Sequence, residues 1–325
     1  GYKWVQKLGT NLYPKRTHTT KRGCKMGLRD AQCRNEIVYR AYSQEELDAQ
    51  YNNRARYPEF TGYFDDWAAW SKATRQNLPA YLDVPYGDLP CETLDIFPAA
   101  VDNAPVQVMV HGGYWYSLDK HHDSFVAEGL RPNGVTTVVI NYGLAPQYGM
   151  DEIVRQNRAA VAWLWRNASE FGIDRERIYT VGQSAGGHLS LMLMATDWPS
   201  FGDSLPARLV KGGSSISGIY DLEPIRLCYL NDKVCMDAEV ARRNSPVHQT
   251  YPVSLPLMLV SGDVESDEYA HQANAMEAVW HALGYPSEHV KLPGHNHFTM
   301  AHQLREPDSV LTQALLRQMK LEGGQ

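Results

Sequence analysis

No apolar run in this 325-residue chain approaches the roughly 18 residues that a membrane-spanning helix needs, so the sequence predicts no membrane partner. Cysteine is scarce as well: Cys24, Cys33, Cys91, Cys228 and Cys235 form an odd set without a C-x-x-C pair. That pattern predicts no zinc-type cluster and leaves at least one thiol without a mate in its own chain. Cys228 and Cys235 could bridge only across a loop, because seven residues of helix would hold them roughly 10.5 Å apart. Reduced thiols in a cytoplasmic protein are the expectation. Positive charge is also lacking, with a formal net charge of −6. That figure hides an asymmetry, since ten Lys/Arg against two acids in residues 1–40 leave the remainder near −14. An acidic body argues against a nucleic-acid partner. The basic arm, residues 1–40, has no apolar segment of the secretory-signal kind, and charge runs of this sort ordinarily lie in solvent.

The chain has the composition of an ordinary globular protein, 43% apolar, 21% charged and 10% aromatic, enough to bury one core in a single domain over residues 41–325. Residues 43–80 read as mainly helical and aromatic-rich, with Pro79 helping to close the segment. The period then changes. ETLDIF (92–97) and VQVMV (106–110) read as strands on either side of an Asp-Asn-Ala-Pro turn, and TTVVIN (136–141) is a β-branched run short enough for a strand buried on both faces. A helix is predicted over 151–170, and IYTVG (178–182) returns to strand. Strand, helix, strand predicts a mostly parallel sheet flanked by helices. The rhythm continues through strands at 209–218, 256–262 and 289–293, a helix at 271–284 that Gly284 stops, and a last helix near 309–321. Residues 219–255, with three prolines, read as a cap-like insertion over the carboxyl edge of the sheet, where open α/β sheets bind ligands.

The chemistry is concentrated in three places. VGQSAGGH (181–188) sets Ser184 between Gly182 and Gly186, after a strand and before the apolar run LSLMLMA. A serine nucleophile is presented in this way, at a turn so sharp that side chains on its flanks would collide. Upstream, HGGYW (111–115) follows the strand VQVMV. Alone it would be a Gly-Gly turn, but ahead of Gly-x-Ser-x-Gly it predicts backbone donors for a developing oxyanion, from Gly112 and Gly113 together with the N–H of Ala185. Tyr114, Trp115 and Tyr116 are the candidate substrate-binding aromatics. A serine hydroxyl needs a histidine to take its proton and an acid to orient that histidine, in the chain order Ser, acid, His. His297 in PGHNHF lies just past the last predicted strand and is preferred over His295. His188, inside the helix after the serine, reads as structural, and the adjacent His121 and His122 lack the further spaced ligands of a metal site. The acid should end the strand PLMLVSG, which offers Asp263, Glu265 and Asp267; from strand position alone, Asp263 comes first.

With these pieces assembled, the sequence resembles the kynurenine formamidase (arylformamidase) branch of the α/β-hydrolase superfamily. The resemblance runs from about Gln44 to the C-terminal helix, through QEELDAQYNNRA, DVPYG, LDIFPA, HGGYW, LDKHHDSFVA, INYGLAP, VGQSAGGHLS, YDLEP, GDVESDEYAHQ and PGHNHF. HGGYW is its most diagnostic element, because lipase-like relatives usually carry HGGG. The family pattern of a carboxylate before Ser-x-Glu-aromatic-x-x-Gln selects Glu265 as the acid, ahead of Ser266, Glu268, Tyr269 and Gln272. A familiar member has aspartate there, and the Asp-x-x-x-Asp-Glu motif of hormone-sensitive-lipase-like esterases would select Asp263 instead.

The resemblance implies an α/β-hydrolase fold and two-step acyl transfer through Ser184, with no cofactor and no metal. The substrate it implies is a small aromatic formamide such as N-formylkynurenine. A carboxylesterase or amidase acting on a different aromatic acyl compound is the competing expectation. A non-catalytic ligand-binding protein on the same scaffold is the expectation from another class. A homodimer is left open.

Overall fold

Eight strands join in one sheet in the computed structural model, which describes residues 36–321. The basic arm, with Cys24 and Cys33, falls almost wholly outside the described residues. In chain order the strands are β1 (Ile37–Tyr39), β2 (Tyr42–Ser43), β3 (Tyr81–Pro85), β4 (Thr93–Phe97), β5 (Ala104–Val110), β6 (Thr136–Ile140), β7 (Ile173–Gln183), β8 (Val210–Ile216), β9 (Leu257–Gly262) and β10 (Ser287–Leu292). β1 and β2 form a separate small hairpin, and the main sheet runs β10-β9-β8-β7-β5-β6-β4-β3. Neighbours from β10 to β6 are parallel, and β4 pairs antiparallel with both β6 and β3.

Every residue of β5 and of β6 is buried, which follows from their lack of polar alternation: a strand without a polar face needs helices on both sides. Along β5 the faces alternate. Val106, Val108 and Val110 join one apolar cluster with Ile153, Val161 and Leu189 from the helices Met150–Asn167 and Ala185–Met194. Met109 faces a second cluster with Trp67, Leu311 and Leu315 from the helices Phe60–Asn77 and Val310–Gln318. Each residue step along β5 therefore serves the opposite layer of a three-layer α/β core.

Local detail is added to the sequence reading. Residues 43–80 are mainly helical, as expected, in three pieces: Gln44–Tyr51 starts with a Ser43–Glu46 capping box, a short turn follows at Asn53–Arg56, and Phe60–Asn77 comes last. The break falls at Asn52, whose side chain accepts from the Ala55 N–H and so caps the next turn. β3 was not expected, because YLDVP lacks the alternation of a half-buried strand and lies mostly exposed at the sheet edge. The interval 219–255 folds into the short helices Glu223–Leu227, Asn231–Val234 and Ala238–Arg243, braced on neighbouring helices. Asn244 O accepts from His188, Arg243 pairs with Asp151, and Leu227 O accepts from Gln44.

Candidate active site

β7 ends at Gln183 and the helix Ala185–Met194 starts at Ala185, so a single residue makes the turn between them. That residue is Ser184, with φ 57° and ψ −118°, a left-handed backbone that a serine adopts only when its surroundings enforce it. The enforcement is visible. Ser184 N donates to Ile216 O at the end of β8 (2.8 Å), and Ser184 O accepts from His188 N (3.1 Å). Side chains are excluded on both flanks: a Cβ on Gly182 would run into the Gly186 backbone, and one on Gly186 would run into the Val110 carbonyl. The glycines thus let β5, β7 and the helix meet at backbone distance, with the serine at their junction.

Gly112 and Gly113 follow β5 after a single residue, His111, and line one cavity with Ser184. Gly113 has φ +101°, and a side chain there would strike the Ser117 carbonyl, so this loop needs a glycine for conformation as well as for access. Ala185 opens its helix, where the first N–H groups have no intrahelical acceptor. The next residues, Tyr114 and Trp115, are also left-handed, at φ 51° and 60°. Their side chains hold them there. Tyr114 Oη donates to Tyr51 O (2.6 Å), and Trp115 Nε1 donates to His188 Nδ1 (3.1 Å).

This arrangement corrects part of the substrate-binding expectation. Tyr114 lines the cavity, whereas Trp115 is fully buried on the far side against His188, and Tyr116 stacks on Tyr114 at 6.4 Å outside the lining. His188 is structural, as its place in the helix suggests: Nδ1 accepts from the indole, so Nε2–H donates to Asn244 O (2.7 Å). Burial pushes its pKa down to about 4, so the ring stays neutral.

Glu265 and His297 meet. His297 Nδ1 bonds Glu265 Oε1 at 2.9 Å, and both side chains are almost fully buried. The second carboxylate oxygen accepts from Ser217 Oγ (2.8 Å) and Gly262 N (3.1 Å), so Glu265 is fixed from three directions. A carboxylate on Nδ1 sets the imidazole tautomer and leaves Nε2 as the acceptor. The His297 carbonyl is bonded by Gln183 Nε2 from the residue before the serine, and His297 lines the same cavity as Ser184. Asp263, first by strand position, instead accepts from Gly294 N (2.7 Å) at the surface, and His295 turns toward Gln303 (3.0 Å).

The family model BD-FAE matches residues 94–278. Kynurenine formamidase of Danio rerio is 29% identical over 292 residues, 86% of this chain and 97% of its own length. Kynurenine formamidase of Salmo salar is 33% identical over 73% of this chain and 81% of its own. Among solved structures, a protein from a Silicibacter species, assigned as a thioesterase, superposes with a TM-score of 0.74 at 29% identity, covering 82% of this chain and 98% of that one. The chain belongs to the kynurenine formamidase-like branch of the α/β-hydrolase superfamily. It is a serine-type hydrolase.

In this kynurenine formamidase-like chain the cavity above Ser184 measures about 410 Å³, counting the space open to solvent, and its walls are largely apolar: Phe64, Trp67, Leu118 and Phe298. Asn53 and Arg54 complete the rim. These wall residues come from the segment 43–80 and the loops after β5 and β10, and residues 219–255 are not among them; that segment packs instead behind Tyr114 and Tyr116 through Leu227, Cys228 and Tyr229. Sequence reasoning missed Asn53, Arg54 and Trp67 individually. The signal that existed was YNNRA, an Asn-Asn break inside a helical stretch, which marks a turn but not what it faces. No helix among the described residues is long and apolar enough to cross a membrane.

Proposed function

We propose that the chain is an arylformamidase, cleaving an N-formyl aromatic amine of the N-formylkynurenine type by acyl transfer. His297, oriented by Glu265, takes the proton of Ser184 as its Oγ attacks the formyl carbon; the N–H groups of Gly112, Gly113 and Ala185 hold the oxyanion. His297 then gives that proton to the departing aromatic amine. An arylamine leaves more readily than an alkylamine because the ring delocalises the nitrogen lone pair. Water, deprotonated by the same imidazole, releases formate and restores the serine.

One observation carries the choice of substrate: Arg54 stands on the rim of an aromatic-walled cavity with no carboxylate partner among the described residues. Its guanidinium lies 5.5 Å and 5.9 Å from the ring centroids of Phe60 and Phe64 and makes only a 3.4 Å contact to Ser117 Oγ. An unpaired arginine there suits a substrate whose ring enters the cavity while a carboxylate stays at its mouth. N-formylkynurenine has that form. The same reading places the enzyme in the cytoplasm, with a homodimer open to it.

The test is kcat/KM for N-formylkynurenine beside p-nitrophenyl acetate and bulkier neutral aromatic esters, with Ser184→Ala as the blank. A preference of several orders of magnitude for the formamide supports the reading. Fast ester cleavage with negligible formamide turnover would establish the second reading, a carboxylesterase or amidase for another aromatic acyl compound.

A further inference from the structure

Tyr269 sits in the first turn of the helix Asp267–Leu283, four residues beyond Glu265, and its side chain touches the machinery on two sides. Its ring lies 4.6 Å from the His297 imidazole, centroid to centroid, tilted by 47°. Its hydroxyl, buried at 2% exposure for the residue, bonds two other polar groups. Asn53 Nδ2 donates to it at 2.9 Å and to Tyr114 Oη at 3.2 Å. Tyr114 Oη lies 2.8 Å away. Ser184 lies beside this cluster, lining the same cavity as Tyr114, and its hydroxyl is among the groups that oppose the effect of burial on the phenol, with no direct hydrogen bond between the two hydroxyls in the resting structure.

The protons in this cluster can be assigned. Tyr114 has one, and it is committed to the Tyr51 carbonyl at 2.6 Å. Asn53 supplies its two amide hydrogens to the two phenol oxygens. The Tyr114–Tyr269 contact therefore has a single arrangement left, with Tyr269 as donor. Tyr269 thus holds the one mobile hydroxyl proton of the cluster, bonded to Tyr114 Oη in the resting structure, with Ser184 on the cavity wall that Tyr114 shares.

We propose that Tyr269 is a positioning residue for the nucleophile, a hydroxyl that turns from Tyr114 to Ser184 Oγ as the serine gives up its proton. The inference rests on the acyl-transfer reading of Ser184. In the resting protein Tyr114 is the neutral acceptor. As the Ser184 proton passes to His297 Nε2, charge builds on Oγ, and a hydrogen bond to a charged oxygen is worth roughly twice a neutral one. In deacylation the same donor meets Oγ as the bond from the acyl carbon breaks and His297 returns the proton. Tyr269 keeps its own proton throughout. Burial pushes its pKa up, so at neutral pH it is a donor and not a phenolate.

The N-terminal segment gains a role in this scheme, because Asn53 and the Tyr51 carbonyl fix the direction of every hydroxyl in the cluster. Their placement comes from the Asn52 break between the first two helices.

Tyr269→Phe keeps the ring against His297 and removes only the hydroxyl. Two rates test it: turnover of the preferred substrate, and the second-order rate of labelling by a fluorophosphonate, which reads attack by Ser184 Oγ without needing that substrate. Both are expected to fall by about ten- to hundredfold, with KM within about twofold and a melting temperature lowered only as far as the loss of the buried bonds to Asn53 and Tyr114 requires. A merely structural hydroxyl would lower the melting temperature in the same way and leave the labelling rate of the folded fraction intact. Labelling within about threefold of wild type overturns the proposal. Should Tyr269→Phe fail to fold, Asn53→Leu removes the N–H that orients Tyr269, and a labelling rate unchanged in that variant overturns it equally. A wild-type protein that labels quickly but hydrolyses no formamide would refute the arylformamidase reading and leave the effect of Tyr269 measurable.

Discussion

Glu265 and Asp263 stand two residues apart after the same strand, and their environments separate them. Glu265 is buried on His297 with both oxygens engaged, while Asp263 reaches the surface and caps a loop N–H. Glu265→Gln is expected to lower kcat by about three to four orders of magnitude, and Asp263→Asn to leave it within a few-fold; steady-state kinetics of the two purified variants decide between them. Strand position alone could not make this choice, because β9 ends at Gly262 and both acids follow within one turn; the run Ser266, Glu268, Tyr269 and Gln272 behind Glu265, through the family resemblance, did. Ser184 and His297, by contrast, were legible, since each sits in a local motif whose glycines or loop position declare its surroundings. His188 carries a different prediction. Its pKa falls from the ordinary 6.5 to about 4 on burial, so between those values the unfolded chain binds a proton that the folded chain refuses. Stability from this group is complete above about pH 6.5 and is lost as pH falls toward 4. Replacing it by His188→Gln should make the dependence of unfolding free energy on pH shallower in this window by roughly 1.4 kcal/mol per pH unit, measured by denaturant titration at several pH values.

The strand-turn-helix around Ser184 and the helix Phe60–Asn77 respond to glycine replacement in opposite directions. Gly186→Ala sets a methyl group into the Val110 carbonyl, so it should cost about 2–3 kcal/mol or more and reduce activity. Gly62 lies inside the helix Phe60–Asn77 with nothing within 4 Å of an added Cβ, and Gly62→Ala should add about 0.5–1 kcal/mol. Thermal melts of both variants test the pair. The same helix is tied to the sheet by charge: Asp95 on β4 is fully buried and receives Lys120 Nζ (2.6 Å), the Asp83 N–H (2.8 Å) and Arg75. Asp95→Asn leaves the buried Lys120 ammonium with Asp83 as its one carboxylate partner and takes the buried charge from Arg75, for an expected loss of about 3 kcal/mol in a urea titration. At this level the central strands and long helices were readable from their period. The walls of the site were not, because Asn53, Arg54 and Trp67 join the cavity of Ser184 only through tertiary packing, and no spacing along the chain encodes which way a helix face turns.

Taken whole, the molecule assembles one site from five distant segments: the Asn53–Trp67 helices, the loop after β5, the turn after β7, the acid after β9 and the histidine after β10. The parallel sheet makes this convergence possible, since parallel strands deliver all their following loops to one edge. The position of β4, antiparallel and next to the edge, leaves that delivery intact for every strand that carries a site residue. The α/β class was therefore recoverable from strand and helix rhythm, while one wall of the cavity comes from an N-terminal segment whose docking no local pattern records. Central to all of this is Ser184 as the nucleophile. Intact-mass measurement after treatment with a fluorophosphonate, followed by peptide mapping, tests it directly. One adduct per chain on Ser184, absent from Ser184→Ala and slow to form in Glu265→Gln, is the expected result; no adduct on the folded protein, or an adduct on another residue, would contradict it.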